Sequence, residues 1–525
     1  MSRAALILRN VAVNWTGFAV NALVTLILTP FVLRELGGAA YGVWVLTSSV
    51  IGYYGLLDLG LRGGVTQFLT RYLAIGDHRG AGECMSSALA ALGVVCLVVI
   101  LLTAGMAYAA PHIFHIPAAM RAEASWCIAI VGCAGALQFV LFPFAAVLTA
   151  MQRFDIANAI GASSRLLFAL GTYLALRHGL GLLGIAAAAC IANTIDYGLR
   201  WRAARRLIPL LRLSLRSVSR ARLREIVSFG AWNFPISVAS YAELHAETLV
   251  IGILMPIAAA GYYALATGLV LQIGAVLAPI SQVMYPTAVA FHARNEQSGL
   301  ERLCRDGSRL VLLATVTVVC IASFWAGDFY RLWVGEQYVS GAVYPSLALL
   351  LRILLLGTLA GYASNIAGQI LLGSGEVRLL AMALIGRTTL AIALMFVLIP
   401  RFGLLGVAAA SAATAAVVYL FVIPRMLHRA VAFPVGKPLL QAAIRPGAVA
   451  VILCPLLLVI RLAGPAGNWP ELAAQGLLAG VAAAAAILMV GMTRDERARF
   501  IARPLRRLSV ARVPGGRSSQ RSPLR

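Results

Sequence analysis

Charged residues are scarce in this chain. They make up 12% of its 525 residues, whereas soluble domains carry about 25%. The scarcity excludes a soluble protein of ordinary composition, because a water-exposed surface needs more charge than this chain supplies. Hydrophobic residues instead make up 61% of the chain, and the mean hydropathy is +0.88. Lysine is also almost missing, since Lys437 is the only lysine among 43 basic residues.

Several functional motifs are missing as well. The eight cysteines include no Cys-x-x-Cys pair, which argues against disulfides and a zinc site, and we expect no cofactor. His112 and His115 lack further ligands, so they do not predict a metal site. No glycine-rich loop is followed by Lys-Ser or Lys-Thr, so ATP-driven pumping is not supported. The outer loops at 111–120 and 331–341 are too short to resemble the catalytic loops of membrane glycosyltransferases, and no enzyme is predicted.

Long apolar runs fill most of the chain. They are continuous rather than alternating, which favours membrane-spanning helices over a barrel of strands. A helix needs about 20 residues to cross a bilayer. The predicted fold is therefore all-α, a polytopic membrane protein with about fourteen transmembrane helices. The predicted spans are 8–33, 41–61, 84–109, 121–147, 156–176, 180–199, 226–253, 257–286, 308–330, 343–372, 378–399, 403–424, 438–461 and 470–492.

Arginines are distributed unevenly between the loops that connect these spans. If the N-terminus is cytoplasmic, 33 basic residues lie on the cytoplasmic side, six on the other side and four in or at the edges of spans. Positive loops stay inside the cell, so both termini are predicted to be cytoplasmic. Nine arginines lie in a basic hinge from Arg200 to Glu225, and ten follow Thr493. The hinge is expected to lie on the leaflet and the disordered tail to contact anionic lipids; no nucleic-acid partner is expected.

The basic hinge separates two halves that resemble one another. Gly181-Leu-Leu-Gly-Ile-Ala-Ala-Ala matches Gly403-Leu-Leu-Gly-Val-Ala-Ala-Ala at an offset of 222 residues, and Arg165 meets Arg387 at the same offset. This pattern indicates duplication. Six spans per half is an even number, so the two lobes are predicted to be related by a pseudo-two-fold axis along the membrane normal, with two C-terminal helices outside the repeat. The predicted divisions are an N-lobe at 1–199, the hinge at 200–225, a C-lobe at 226–424, the last spans at 425–493 and the tail at 494–525.

Short motifs in both halves resemble one family. Gly37-x-x-x-Tyr41-Gly42, Leu57-Asp58-Leu59-Gly60-Leu61 and Arg71 are similar to the opening of the polysaccharide biosynthesis flippases, which belong to the multidrug/oligosaccharidyl-lipid/polysaccharide exporter superfamily. Glu247-Thr-Leu-Val-Ile-Gly252 and Gly261-Tyr-Tyr resemble the pattern of its second half, in which aspartate is more usual than glutamate.

The resemblance implies a V-shaped pair of six-helix bundles that works by alternating access. Its substrate would be an undecaprenyl-pyrophosphate-linked oligosaccharide, an O-antigen or exopolysaccharide repeat unit, moved across the bacterial inner membrane. The expected partners are this lipid-linked oligosaccharide and the polymerase and glycosyltransferases of the same pathway, and the chain is expected to be a monomer.

Polar residues form a stripe along the seventh predicted span and another along the first. The steps in the seventh span are 4, 3, 3 and 4 residues, which places the stripe within a third of the helix circumference. In the resembled family both spans face the central cavity, so the stripes are predicted cavity walls; a polar seam between packed helices is the alternative. The stripes are Asn233, Ser237, Ser240, Glu243 and Glu247 in the seventh span, and Asn14, Gly17, Asn21 and Thr25 in the first.

Intramembrane arginines supply the opposite charge. A charge at the bilayer centre costs about 3 kcal/mol by insertion scales, so Arg165 and Arg387 need a role. Guanidinium forks suit phosphate oxygens, and both arginines are predicted to hold the substrate's pyrophosphate, with Arg352 as a third candidate. The alternative is a structural ion pair, for example of Arg165 with Asp155 or Asp196. The other predicted substrate-binding residues are Asn14, Asn21, Asn233, Asn365 and Gln369.

Carboxylates supply the remaining predicted sites. Glu243 and Glu247 are predicted to bind a coupling cation. Asp58 and Arg62 lie one helical turn apart at the cytoplasmic edge of the second span, where they are predicted to cap a gate; a plain interfacial ion pair is the alternative. Two other functions stay open. A cation-coupled drug or small-molecule antiporter of the same superfamily would use the two glutamates, and a non-transporting scaffold of an export complex would need no charged cavity stripe.

Overall fold

The computed structural model describes residues 3–209, 213–431, 433–462 and 464–493, together with Glu496. Side chains are described from Gly17 onward, apart from those of residues 215, 231–233 and 236. Within these ranges every regular element is a helix and no strand occurs, so the all-α prediction is confirmed. The tail predicted at 494–525 lies outside the described residues except for Glu496.

The α-helices are numbered in chain order, and short 3-10 and π-helical segments join several of them. Their bounds are α1 Arg3–Tyr53, α2 Leu61–Ala74, α3 His78–Ile113, α4 Arg121–Ala150, α5 Phe154–Arg177, α6 Gly181–Leu207, α7 Arg220–Leu254, α8 Ile257–Gln282, α9 Tyr285–Ala293, α10 Gln297–Arg302, α11 Ser308–Trp333, α12 Leu347–Ala363, α13 Asn365–Gly373, α14 Val377–Phe402, α15 Leu404–Val417, α16 Ile423–Ala430, α17 Gly436–Leu462 and α18 Trp469–Ala486.

Twelve helical stretches of the described chain are long and apolar enough to cross a membrane, so the protein is a multi-pass membrane protein. The first stretch, Gly17–Asp58, covers most of two predicted spans, 8–33 and 41–61. These meet at Gly37, whose φ of 76° and ψ of 168° interrupt the helix in a conformation that glycine adopts without a Cβ clash. The seventh predicted span lies in α7, which carries the polar stripe and is not one of the twelve. The count of fourteen crossings therefore stays a prediction.

Helix packing repeats between the two halves. In the first half α1 packs on α5, α3 on α4, and α6 on both α4 and α5. The corresponding helices of the second half form the same pairs: α7 with α14, α11 with α12, and α15 with both α12 and α14. The repeat in the sequence thus corresponds to two helical bundles of like architecture, which we call the N-lobe (α1–α6) and the C-lobe (α7–α16).

The lobes meet at one end through two glycines, one from each lobe. A Cβ on Gly42 would lie 2.2 Å from the Ile257 carbonyl oxygen, and a Cβ on Gly261 would lie 2.9 Å from the Gly42 nitrogen. The His115 amide donates to the Gly252 carbonyl (3.1 Å), and the Ile257 amide donates to the His115 carbonyl (3.2 Å). We call this contact the glycine junction. Only residues without a Cβ allow the backbones to approach this closely.

A second contact joins α1 and α2 to α7. A Cβ on Gly60 would lie 2.5 Å from the Gly230 carbonyl oxygen, so this part of the interface is also closed by backbone. Further along α7, Tyr241 and His245 fill the space that Gly55 and Gly52 leave open, because a Cβ on either glycine would lie within 2.4 Å of the facing ring. His245 therefore lies between the lobes.

The basic hinge is divided between helices and an irregular connection. Its first residues, up to Leu207, end α6, and its last six begin α7. The described residues 213–219 contain a 3-10 turn but no α-helix, and residues 210–212 lie outside the described chain. The amides of Ser214 and Ser219 donate to the hydroxyls of Ser86 (3.3 Å) and Ser87 (3.0 Å). The connection is therefore tied to the start of α3.

Charged and aromatic groups strengthen this attachment. The Tyr72 hydroxyl donates to the Glu225 carboxylate (2.8 Å), and the Arg222 guanidinium lies 4.6 Å from the centroid of the Tyr72 ring. Burial, and then the hydrogen bond to Glu225, raise the pKa of the Tyr72 phenol. The phenol therefore remains a hydrogen-bond donor at neutral pH.

The last two helices are attached to α11. The Trp325 indole donates to the Gln475 amide oxygen (2.6 Å), and Arg309 forms an ion pair with Glu496. The Asp328 carboxylate is fully buried and pairs with both Arg331 (3.2 Å) and Arg461. Ion pairs and an apolar cluster thus fix α17 and α18 to the C-lobe.

Asp328→Ala is expected to lower the stability of the folded protein by about 3 kcal/mol, because it leaves two guanidinium groups without their buried counter-ion. The effect is measured as the midpoint of thermal unfolding in detergent, with size-exclusion chromatography as the readout of folded protein. Glu336→Gln is the matched control, since Glu336 also pairs with Arg331 (3.1 Å) but is 68% exposed. An exposed pair contributes about 1 kcal/mol or less. Equal midpoints for the two variants would show that Asp328 does not hold α17.

Candidate functional site

Each lobe encloses a polar cavity of about 580 Å³. The N-lobe cavity lies between α1, α4, α5 and α6, and the C-lobe cavity lies between α7, α8, α12, α14 and α15. The two cavities are repeat-related, because several lining residues of one correspond to lining residues of the other at offsets of 220 or 222. The pairs are Ile51 and Leu271, Gln138 and Thr358, Arg165 and Arg387, Ala189 and Ser411, and Tyr197 and Tyr419.

Arg165 carries the positive charge of the N-lobe cavity. Its guanidinium donates to the Thr25 hydroxyl (3.2 Å) and lies 5.5 Å from the centroid of the Phe168 ring. Its Nε is buried and has no acceptor among the described residues. Unpaired polar atoms inside a protein are costly, so Arg165 has unused capacity to bind an anion.

The structure rules out the two acidic partners considered for Arg165. Asp155 pairs with Arg153 at 3.0 Å, and Asp196 pairs with Arg200 at 2.5 Å. In the described part of the chain no carboxylate forms an ion pair with Arg165. The two partners suggested for Arg165 are therefore wrong, whereas the general alternative of an ion pair holds for Arg387, which pairs with Glu243.

Arg387 lies in a different environment. Its guanidinium is 2.6 Å from the Glu243 carboxylate and 5.8 Å from the centroid of the Tyr419 ring. Glu247 lies one turn further along α7, beside the hydroxyls of Tyr263 and Ser411, and all of these residues line the C-lobe cavity. The C-lobe cavity therefore holds two carboxyl groups and one guanidinium, whereas the carboxylate that lines the N-lobe cavity, Asp196, pairs with Arg200 and not with Arg165.

The two cavities differ in their carboxyl groups because the first and seventh spans differ in sequence. These two spans are equivalent in the repeat. At the offset of 219 that aligns Asn14 with Asn233, Glu243 and Glu247 correspond to Val24 and Leu28. The repeat therefore preserves the arginine in both lobes, whereas the carboxyl groups at these two positions are present only in the C-lobe.

The polar stripes reach the cavities only in part. Ser240, Glu243 and Glu247 of the seventh span line the C-lobe cavity, and Thr25 of the first span contacts Arg165. Asn21 is exposed and is not one of the lining residues of either cavity. The side chains of Asn14 and Asn233 lie outside the described residues, so their predicted roles stay predictions.

Three further predicted residues lie on α12 and α13. Asn365 lines the C-lobe cavity, and its side-chain oxygen is buried without a described donor. Gln369, one turn further along, does not line either cavity. Arg352 is exposed on α12 and donates to the Ser323 carbonyl (3.0 Å), away from both cavities. The structure thus brings Asn365, but neither Gln369 nor Arg352, to the arginine sites.

Asp58 and Arg62 form the predicted ion pair, with 3.4 Å between Nε and the carboxylate. Asp58 also accepts a hydrogen bond from the Gly60 amide (2.7 Å), and the Arg62 guanidinium lies 4.4 Å from the centroid of the Phe139 ring. The pair therefore fixes the turn that presents Gly60 to Gly230 of the C-lobe. Its role as a gate stays a prediction.

Sequence reasoning missed the two repeat-related tyrosines that line the cavities. Tyr197 lines the N-lobe cavity and donates to the Gln138 amide oxygen (3.3 Å), and Tyr419 lies under Arg387. The signal was present, because the two tyrosines occur at the same offset of 222 as the arginines. A tyrosine in an apolar span is not recognised as a site residue unless the two halves of the repeat are compared position by position.

Comparison with known proteins now places this architecture. Residues 7–292, more than half of the chain, match the model of the family described as polysaccharide biosynthesis protein. The chain belongs to this family. The resemblance seen in the short sequence motifs is therefore confirmed.

Individual relatives agree with the family assignment. The chain is 23% identical over 498 residues to the membrane protein EpsK of Bacillus subtilis, covering 93% of this chain and 96% of EpsK. It is 19% identical over 404 residues to a provisionally named O-antigen transporter of Shigella flexneri, covering 77% and 93%. The structure is similar to that of the lipid II flippase MurJ in an inward closed conformation, with a TM-score of 0.68 and 14% identity, covering 90% of this chain and 98% of MurJ. This last similarity shows the fold.

Proposed function

We propose that this family member is a flippase that translocates an undecaprenyl-pyrophosphate-linked oligosaccharide across the bacterial inner membrane by alternating access. The carrying observation is Arg165, a guanidinium with a free buried Nε and no acidic partner among the described residues, inside a polar cavity. A pyrophosphate offers acceptor oxygens and the opposite charge. Gln138 and Asn193 line the same cavity and supply amides for sugar hydroxyls.

An apolar groove supports a substrate with a hydrocarbon chain. It has a volume of about 460 Å³ and runs between α1 and α5 from Val20 to Phe31, with Leu166, Ala169 and Tyr173 on its other side. Leu166 adjoins Arg165 in the sequence, so the groove lies on the same helix as the cation. This proximity of an apolar groove to an unpaired cation suits an amphiphile with an anionic head group.

The proposed orientation follows from the charge distribution. With both termini cytoplasmic, the arginine-rich loops face the anionic inner leaflet, and the glycine junction lies at the periplasmic end of the lobes. The proposed partners are the lipid-linked substrate, anionic lipids, and the polymerase and glycosyltransferases of the pathway, and the protein is proposed to act as a monomer. The Shigella flexneri relative, named for O-antigen, supports this substrate class.

Reconstitution tests the proposal. Proteoliposomes that contain a labelled undecaprenyl-pyrophosphate oligosaccharide are treated with a membrane-impermeant glycosidase, which cleaves only outward-facing sugar. We expect the protein to increase the cleavable fraction beyond the half that is accessible at the start, and empty liposomes to show no increase. An unchanged fraction with folded protein would contradict the flippase proposal.

A cation-coupled antiporter is the second candidate, because two carboxyl groups, those of Glu243 and Glu247, line the C-lobe cavity. The same proteoliposomes distinguish it. Uptake of a lipophilic cationic dye, driven by a sodium or proton gradient, without exposure of oligosaccharide would favour the antiporter over the flippase.

A further inference from the structure

The repeat-related arginines differ in one respect that bears on how transport is coupled. Arg165 has no acidic partner in the described chain, whereas Arg387 is neutralised by Glu243 at 2.6 Å. If both cavities served one anionic substrate, the C-lobe guanidinium would be unavailable to it in the conformation described. The inference that follows rests on the flippase proposal and explains this difference.

Accessibility identifies which partner of the pair a ligand meets first. The Arg387 side chain is 7% exposed and the Glu243 side chain is 39% exposed. A small cation that enters the cavity therefore reaches the carboxylate, while the guanidinium lies behind it against Tyr419.

Neutralising the carboxylate has a direct electrostatic consequence. Arg387 would lose the carboxylate with which it forms its ion pair, and its Nε already lacks an acceptor among the described groups. A buried charge that loses its partner is strongly destabilised. An anion in the cavity that takes the place of Glu243 would restore the balance.

We propose that Glu243 is an exchangeable counter-ion, so that Arg387 accepts the phosphate of the substrate only after a monovalent cation, a sodium ion or a proton, has neutralised Glu243. Arg165 is then a permanent anion site and Arg387 a cation-gated one. Cation and anionic substrate bind to the C-lobe cooperatively, because each removes the charge that the other would leave unpaired.

The surroundings of Glu243 permit this exchange. The titratable groups that face its cavity are few, and the other carboxyl group, Glu247, lies beside the hydroxyls of Tyr263 and Ser411. These groups are Glu247 on α7, Tyr263 on α8, Tyr362 on α12, Arg387 on α14, and Tyr419 in the π-helical segment that follows α15.

A binding experiment tests the exchange directly. The probe is farnesyl pyrophosphate, and the protein is embedded in nanodiscs of neutral lipid. Its affinity is measured in sodium-free buffer at neutral pH, in sodium buffer at the same pH, and in sodium-free buffer at acidic pH. For the wild type we expect the affinity for the probe to rise about tenfold, which is the scale of a typical coupling between two sites. The rise should occur in sodium buffer if the coupling ion is sodium, and in acidic buffer if it is a proton. Glu243→Gln should bind tightly in all three buffers.

A reciprocal variant introduces an acidic counter-ion beside the arginine of the other lobe. Thr25 is the hydroxyl partner of Arg165, so Thr25→Glu places a carboxylate beside the permanent anion site. This variant should bind the probe more weakly in sodium-free neutral buffer and regain affinity with the cation that acts on the wild type. Thr25→Gln, its matched control, has no charge and should show only the cation dependence of the wild type, whereas Thr25→Glu should exceed it.

Each outcome has one meaning. Wild-type binding that is equal in all three buffers, or weaker binding by a folded Glu243→Gln variant in sodium-free buffer, would overturn the exchange and leave the flippase proposal standing. Absence of probe binding in every protein and buffer would overturn both.

Discussion

Gly42→Ala is expected to prevent the lobes from closing at the glycine junction and to reduce transport by roughly 5- to 150-fold, the factor that corresponds to a conformational penalty of about 1–3 kcal/mol. The added methyl carbon would lie 2.2 Å from the Ile257 carbonyl oxygen and 2.8 Å from its carbonyl carbon. Both are backbone atoms, so no side-chain rotation relieves the overlap. The lobes must separate there, which disfavours every state in which this end is shut.

Gly38→Ala is the matched control for this substitution. Gly38 lies one turn before Gly42 on the same helix, and a Cβ there would lie 4.0 Å from the Ala258 methyl group, which is ordinary contact. Transport is measured with the glycosidase assay, and opening with a membrane-impermeant maleimide on a single cysteine at Ala39. Increased labelling together with normal transport in Gly42→Ala would show that closure of this junction is not needed for turnover.

The helices could be predicted from the sequence because the bilayer leaves few alternatives. A backbone in hydrocarbon must satisfy its own hydrogen bonds, so a long apolar run is a helix. The ends of helices were less predictable. The third span was predicted to begin at residue 84, but α3 begins at His78, where Asp77 accepts a hydrogen bond from the Gly80 amide (2.8 Å). Hydropathy marks the hydrocarbon layer, whereas capping groups in water determine where the helix begins.

The candidate site was predictable where the repeat constrains it. The match of Arg165 with Arg387 follows from the offset, and both arginines lie in corresponding cavities. The partner of each arginine could not be predicted. Asp155 and Asp196 pair with arginines two and four residues away, whereas Arg387 pairs with a residue 144 positions earlier in the chain. Ion pairs between distant helices depend on the packing of α7 against α14, which composition does not encode.

Arg352 illustrates a second limit. A polar residue in an apolar span indicates that one helix face is special, but one sequence does not show what that face contacts. Arg352 is exposed on α12 and its guanidinium reaches a carbonyl of the neighbouring α11, while Leu354 and Thr358 on the same helix line the cavity. One face of α12 thus contacts α11 and another lines the cavity, but the sequence distinguishes only polar from apolar positions.

Arg165→Gln is expected to lower the translocation rate by about 10- to 150-fold, because it removes a charge-assisted contact with phosphate that contributes about 1.5–3 kcal/mol. Arg165→Lys should lie between this variant and the wild type, since an ammonium group keeps the charge but loses the planar fork. Arg177→Gln is the matched control, because Arg177 ends the same helix on its exposed side and contacts Tyr173. The glycosidase assay measures all four proteins, with expression and thermal stability checked for each.

The pattern across these variants separates substrate binding from a structural role. A structural arginine would tolerate glutamine in proportion to the stability that remains, and Thr25 and Phe168 are the described contacts that it would lose. A phosphate-binding arginine would instead fail in Arg165→Gln at unchanged thermal stability and recover in part in Arg165→Lys. Wild-type translocation by a stable Arg165→Gln variant would end the phosphate assignment. The free Nε in the N-lobe cavity would then need a different anion.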